Sequence, residues 1–211
     1  MKTALASELW SLYAAAPPAA RVKQSLRAYI LPYEDLLAWL PARGSSLLDI
    51  GCGVGAFAAL AVRQCGYARV VGVDREDAIA TAQAVHDDAR LTFVAAADST
   101  AWPDEQFDCV SVIDVLHHVP PGMQDGFLSS LLAHVKPGGR LLYKDMADTP
   151  KFSAWFNRVH DLLSAQEWIR YYPLERARET ILAAGFRVLH EEEIARGPYA
   201  HELLVAERPA R

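Results

Sequence analysis

Leu47-Leu48-Asp49-Ile50-Gly51-Cys52-Gly53-Val54-Gly55-Ala56-Phe57 is the stretch that decides how this chain reads. Apolar residues run into an acidic one, three glycines follow at alternate positions, and an Ala-rich segment begins at Ala56 and reaches Arg63. That order is strand, tight turn, helix start. Glycine suits such a turn because a side chain would keep the backbone away from a nucleotide-like ligand, and because some turn positions need φ > 0. The spacing Gly51-x-Gly53-x-x-Ala56 also fits a dinucleotide fingerprint, in which a pyrophosphate sits on the helix N-terminus. Asp49 argues against that use. A carboxylate repels a pyrophosphate and attracts an ammonium or a sulfonium, so the sign of the charge points to a cationic ligand.

Outward from the turn, strands and helices alternate. Short apolar runs at 47–50, 70–73, 91–95, 108–113 and 140–144 read as buried strands, and 56–65, 77–86 and 125–135 as the helices between them. Repeated β-α units with nearly continuous apolar strands predict an α/β fold whose parallel sheet is covered on both faces. Upstream, Leu5, Leu9 and Leu12 mark one short helix, and Pro17-Pro18 separates it from the next. Leu26, Tyr29, Ile30, Tyr33, Leu36, Leu37 and Leu40 recur near a helical period, divided at Pro32. Downstream, Phe152, Trp155, Phe156, Val159 and Leu163 share a helical face, and Trp168, Tyr171 and Tyr172 precede Pro173 and a helix through Leu182. Strands at 186–190 and 201–206, joined through Gly197-Pro198, form an expected antiparallel hairpin. The expectation is one domain over 1–211: a helical preface at 1–44, a cofactor-binding core at 45–146, a helical insertion or lid at 147–172, and a helix and hairpin at 173–211.

Composition narrows the class. A chain of 211 residues, 52% hydrophobic, is long enough for a sizeable core. Its net charge of −5 gives no electrostatic footprint for DNA or RNA, so no nucleic-acid partner is expected. Cys52, Cys65 and Cys109 are odd in number and lack C-x-x-C spacing, so neither a disulfide framework nor a zinc site is expected, and the compartment is a reducing cytoplasm. Glu8, Trp10 and Tyr13 interrupt any signal-type apolar run, and no membrane span is expected.

Acidic residues recur where strands end: Asp49, then Asp74 after Val70-Val71-Gly72-Val73, Asp98 after Phe93-Val94-Ala95-Ala96-Ala97, and Asp114 after Val110-Ser111-Val112-Ile113. Ligands of open α/β sheets lie outside the carboxyl ends of strands. At these residues the sequence resembles the class I S-adenosylmethionine-dependent methyltransferases. LLDIGCGVGAF is similar to their first motif, VVGVD to their ribose-binding strand end, VAAADS to their adenine-side loop, and FDCVSVIDVLHHVP and VKPGGRLLYKD to their later core motifs. The likeness covers roughly 45–145, with Ala183-Ala184-Gly185-Phe186 adding weaker support.

The resemblance implies a Rossmann-like, doubly wound, mainly parallel seven-stranded sheet with an antiparallel terminal strand. It also implies S-adenosyl-L-methionine as cofactor and S-adenosyl-L-homocysteine as product. Asp49 and the backbone of Gly51, Cys52, Gly53 and Gly55 would hold the methionine portion. Asp74, with Arg75 beside it, would take the ribose hydroxyls, Asp98 and Ser99 the adenine, and Asp114, through its carboxylate or its carbonyl, and Val115 the methionine amino end. Ionised carboxylates suit hydroxyl and ammonium donors alike. Asp74 and Asp98 also suit plain turn or N-cap positions, and Cys52 suits a small buried site. On the acceptor side His117 and His118 follow the fourth strand and Lys144 and Asp145 end the fifth; His118, Lys144 and His160 are the expected orienting or proton-accepting groups, with no metal. The VLHHVP segment and compact size resemble enzymes that methylate small quinone- and polyketide-pathway molecules, and the acceptor is expected to be small and partly apolar, under an aromatic lid to which Asn157 and His160 contribute. The chain is expected to be a monomer or homodimer. Two other readings stay open: an NADP-dependent oxidoreductase, which leaves Asp49 and Asp98 without a role, and a protein that binds S-adenosylmethionine without catalysis.

Overall fold

The computed structural model describes residues 2–41, 45–147 and 171–210. Phe152, Trp155, Phe156, Asn157, Val159, His160, Leu163 and Trp168 lie outside the described residues, as does most of the 147–172 insertion. A seven-stranded sheet runs in the order β3-β2-β1-β4-β5-β7-β6. The chain divides into two compact units at Pro103/Asp104.

The first unit opens with three helices, α1 (Lys2–Leu12), α2 (Pro18–Ile30) and α3 (Tyr33–Ala38). Pro17, Pro18 and Pro32 stand at the starts of α2 and α3, where a fixed φ is tolerated and a missing N–H costs nothing. The face α2 buries is Gln24 and Ala28, while Leu26 and Tyr29 are about half exposed. Strands β1 (Ser46–Ile50), β2 (Arg69–Asp74) and β3 (Leu91–Ala95) pair in parallel, with Asp49 opposite Gly72 and Asp74 opposite Ala95. Parallel neighbours need crossovers, supplied here by α4 (Ala56–Cys65) and α5 (Glu76–Val85). Ala56 through Val62 of α4 are buried without a break, as a helix enclosed by the core must be.

In the second unit β4 (Phe107–Ile113) and β5 (Val135–Met146) pair in parallel across α6 (Gln124–Ala133). Helix α7 (Leu174–Ala183) then leads to β6 (Arg187–Arg196) and β7 (Tyr199–Glu207). The hairpin turns at Gly197, φ +62°, and β7 runs antiparallel to both β5 and β6. Two elements are longer than the sequence predicts. Val135 already pairs with Phe107, and the ladder resumes at Arg140 with Cys109 after a bulge through Lys136-Pro137-Gly138-Gly139. Pro and Gly read as a turn from sequence, whereas here they form an irregularity inside one strand. Strand β6 continues through the exposed Glu191, Glu192 and Glu193, charges suited to a sheet edge.

Candidate active site

The turn between β1 and α4 is built from backbone bonds around three glycines in the left-handed region. Gly51, Gly53 and Gly55 have φ of +74°, +55° and +83°. Gly51 and Cys52 both donate N–H to Val73 O, at 2.8 and 3.1 Å, and Gly55 donates to Cys52 O at 3.0 Å. A Cβ on Gly53 would project into open space, with nothing within 4 Å of it. A Cβ on Gly55 would lie 2.7 Å from the Phe93 ring, so that glycine serves packing as well as φ.

Two carboxylates flank the turn. Asp49 is buried in β1 at 2% exposure. Asp74, ending β2, accepts from Gly53 N–H at 2.6 Å through Oδ2 and from Arg75 N–H at 2.7 Å through Oδ1. Each carboxylate oxygen keeps a further lone pair for a donor such as a hydroxyl. Burial, with Asp49 and Asp74 close by, pushes the Cys52 thiol far up, so Cys52 is a neutral small side chain rather than a nucleophile. Arg75 is exposed at the start of α5.

Asp98 caps the short 3-10 turn Ser99–Ala101. Its Oδ1 takes the Thr100 N–H at 2.8 Å and the Thr100 hydroxyl at 2.5 Å, and these bonds hold its carboxyl below the usual range. Its side chain is exposed, and Oδ2 accepts no hydrogen bond among the described residues.

The second unit carries its own charged cluster, where β4 and β5 end. Asp114 has φ +57°, a conformation short polar side chains tolerate. It receives Lys144 Nζ at 2.5 Å, from a lysine side chain with no exposure. Burial works to raise the Asp114 carboxyl, but Lys144 foremost, with His201 and His117, outweighs it and brings the carboxyl to about 2. His117 Nδ1 pairs with Asp145 Oδ1, both side chains sealed from solvent, and Met146 N–H donates to the same oxygen at 2.8 Å. His118 is exposed, its ring 4.1 Å from that of His117. Val115 precedes the 3-10 turn Leu116–His118. Ligand atoms of Asp114, His117 and Asp145 lie within 4.8 Å of one another, a spacing compatible with a metal ion. The Lys144 ammonium already neutralises Asp114 there, and His117 engages Asp145.

Sequence reasoning reached the turn, the acidic strand ends and the His117–Lys144 region. It missed Tyr13, His86 and Phe93 around the turn, and His201 beside Asp114. None of these stands in a local pattern; each is brought in by the fold.

The profile of a family described as methyltransferase domain matches residues 21–191. Fatty-acid O-methyltransferase of Mycolicibacterium smegmatis is 30% identical over 131 residues, 61% of this chain and 47% of that protein. The chain spans about half the length of the curated relatives it matches first. Among solved structures, an O-methyltransferase family protein from Burkholderia thailandensis superimposes with a TM-score of 0.72 at 22% identity, covering 92% of this chain and 61% of the other. Magnesium protoporphyrin IX methyltransferase from Synechocystis with bound SAH gives 0.70 at 20% identity, over 98% and 95%. These two likenesses establish the fold.

Proposed function

Because this chain belongs to the methyltransferase-domain family, we propose that it moves a methyl group from S-adenosyl-L-methionine to a small, partly apolar acceptor and releases S-adenosyl-L-homocysteine. The observation that carries this reading is the glycine turn with the Asp74 carboxylate on the Gly53 N–H at 2.6 Å. The fit to the cofactor is physical: open space over Gly53 admits its chain, and Asp49 and Asp74 match a molecule with an ammonium, a sulfonium and ribose hydroxyls. Asp49 opposes the pyrophosphate of NADP, and Asp74, at the strand end that faces a ribose, opposes its 2′-phosphate, so the oxidoreductase reading is not favoured.

When bound, S-adenosylmethionine supplies an electrophilic methyl on a sulfonium, which departs as a neutral sulfide without acid assistance. Asp49 and the backbone of Gly51, Cys52, Gly53 and Gly55 hold the methionine part. Asp74 takes the ribose hydroxyls, with Arg75 alongside. Asp98, through the oxygen its cap leaves open, and Ser99 take the adenine, and Asp114 and Val115 the amino end. Lys144, whose buried ammonium sits on Asp114, fixes that carboxylate and has no lone pair with which to take a proton; His118 and His160 orient the acceptor or take its proton. Alignment contributes on the order of 7–11 kcal/mol in favourable cases, and a base adds about 10²–10⁴-fold only where the acceptor must lose a proton. No metal is assigned a role.

A small, partly apolar acceptor is supported by the name of the fatty-acid relative and by the net charge of −5, which gives nucleic acid no electrostatic footprint. No helix among the described residues is long and apolar enough to cross a membrane. We read the chain as a cytoplasmic enzyme, from its odd number of cysteines without C-x-x-C spacing, acting as a monomer or homodimer through one catalytic domain. Calorimetry with S-adenosylhomocysteine and NADPH, followed by a transfer screen over fatty acids, phenols, quinone precursors, amines, RNA and protein with and without chelator, tests the reading. Expected are binding of S-adenosylhomocysteine alone and chelator-insensitive transfer to small acceptors. Binding without turnover of any acceptor would leave a non-catalytic binder, and transfer only to a macromolecule would refute the small acceptor.

A further inference from the structure

The carbonyl of Val54, between Gly53 and Gly55, accepts two hydrogen bonds from outside the turn. Tyr13 Oη donates at 2.8 Å and His86 Nε2 lies at 3.0 Å. A carbonyl oxygen only accepts, so the neutral imidazole carries its proton on Nε2. Tyr13, just beyond α1, is 1% exposed, and His86 closes the carboxyl end of α5. Their rings meet edge to face at 5.2 Å, and His86 in turn lies 5.8 Å from Phe93. Phe93 and His86 are the two side chains that a Cβ on Gly55 would strike, at 2.7 and 3.0 Å.

Two side chains from two parts of the first unit and one backbone carbonyl of the turn therefore close on one peptide group, that between Val54 and Gly55. Its oxygen is held by Tyr13 and His86, and its N–H by Cys52 O at 3.0 Å. With both ends fixed the peptide plane has one orientation. That plane also launches α4, whose N-cap Gly55 has no side chain to steady the helix start. A cradle for a cofactor needs its donors aimed before the ligand arrives, or binding must meet the cost of ordering them.

We propose that Tyr13 and His86 are positioning residues for the cofactor: by fixing the Val54 carbonyl they set the shape of the glycine turn that receives the methionine end of S-adenosylmethionine. The inference rests on the methyltransferase reading and extends the cofactor site to the amino-terminal segment, which the motif alone does not include. A buried tyrosine that merely packed would contribute its ring; here the hydroxyl is committed to the ligand turn.

Tyr13→Phe removes one oxygen, His86→Met removes the donor while keeping bulk, and His86→Gln restores an N–H at the equivalent place. Each is measured for S-adenosylhomocysteine Kd by calorimetry, for unliganded thermal midpoint, and for KM of S-adenosylmethionine and of the acceptor. Expected for Tyr13→Phe and His86→Met is a Kd raised about three- to tenfold, the loss of one net hydrogen bond. The KM of S-adenosylmethionine should rise in step while that of the acceptor stays, and His86→Gln should stay within about twofold of wild type. A purely structural role would instead lower the midpoint and leave Kd unmoved. Wild-type protein that binds S-adenosylhomocysteine, together with variants that bind it equally well, overturns the clamp alone. Wild-type protein that does not bind it overturns the cofactor reading and the clamp with it. Should His86→Met not fold, Tyr13→Phe carries the decision.

Discussion

Asp74 does two things with one carboxylate. Its oxygens brace Gly53 and Arg75 through backbone N–H groups and keep lone pairs for ribose. Removing the group by Asp74→Ala should weaken S-adenosylhomocysteine binding by about 1.5–3 kcal/mol, the range for hydrogen bonds to charged groups. Asp74→Asn keeps an acceptor for Gly53 and isolates the charge. Calorimetry on folded variants checks this, and unchanged affinity in both would remove Asp74 from the site. At this scale the sequence was legible where chemistry is local: Asp49, the glycines and Asp74 stand in or beside one strand-turn-helix pattern. Tyr13 and His86 were illegible because their shared partner is 41 and 32 residues away and no neighbour hints at it. Lys144 was visible as a residue, but its partner Asp114, 30 residues off, was fixed only by the β4–β5 register.

Elements were legible wherever apolar runs and breakers agreed, as at β1 to β4 and the three amino-terminal helices. They were misjudged where a breaker sits inside a strand, as in β5, or where charge sits on an edge, as in β6. The same distinction separates two glycines. Gly126 lies within α6, and a Cβ added there would meet nothing within 4 Å, so Gly126→Ala should stabilise by about 0.5–1 kcal/mol. Gly55→Ala meets φ +83° and the Phe93 ring at 2.7 Å, and should destabilise by roughly 1–3 kcal/mol. Urea unfolding of both variants measures the contrast. Equal shifts would mean that helix propensity, not the turn's geometry, governs position 55.

Acid stability tests the charged cluster against the whole molecule. An ordinary Asp titrates near ~3.9, while Asp114 is held at about 2. The folded pKa is depressed, so the stabilisation is complete above the ordinary value and is lost as pH falls through about 2. Lys144→Met leaves a buried carboxylate without its cation, which should lower stability by about 3–5 kcal/mol at pH 7. Burial then raises the Asp114 carboxyl, so the gap from wild type should narrow as acid neutralises it. Denaturant unfolding at pH 7, 4.5 and 3 reads this directly, and a loss equal at every pH would show that Lys144 matters through packing alone. The Val54 carbonyl bears on a different matter, the order in which the chain becomes a protein. Its two donors stand on opposite sides of it in sequence, at residues 13 and 86. During synthesis the glycine turn emerges after its first partner and well before its second. The hydrogen bonds that fix the turn can therefore be complete only once residue 86 has emerged, so the motif most readily read from sequence depends on chain made after it.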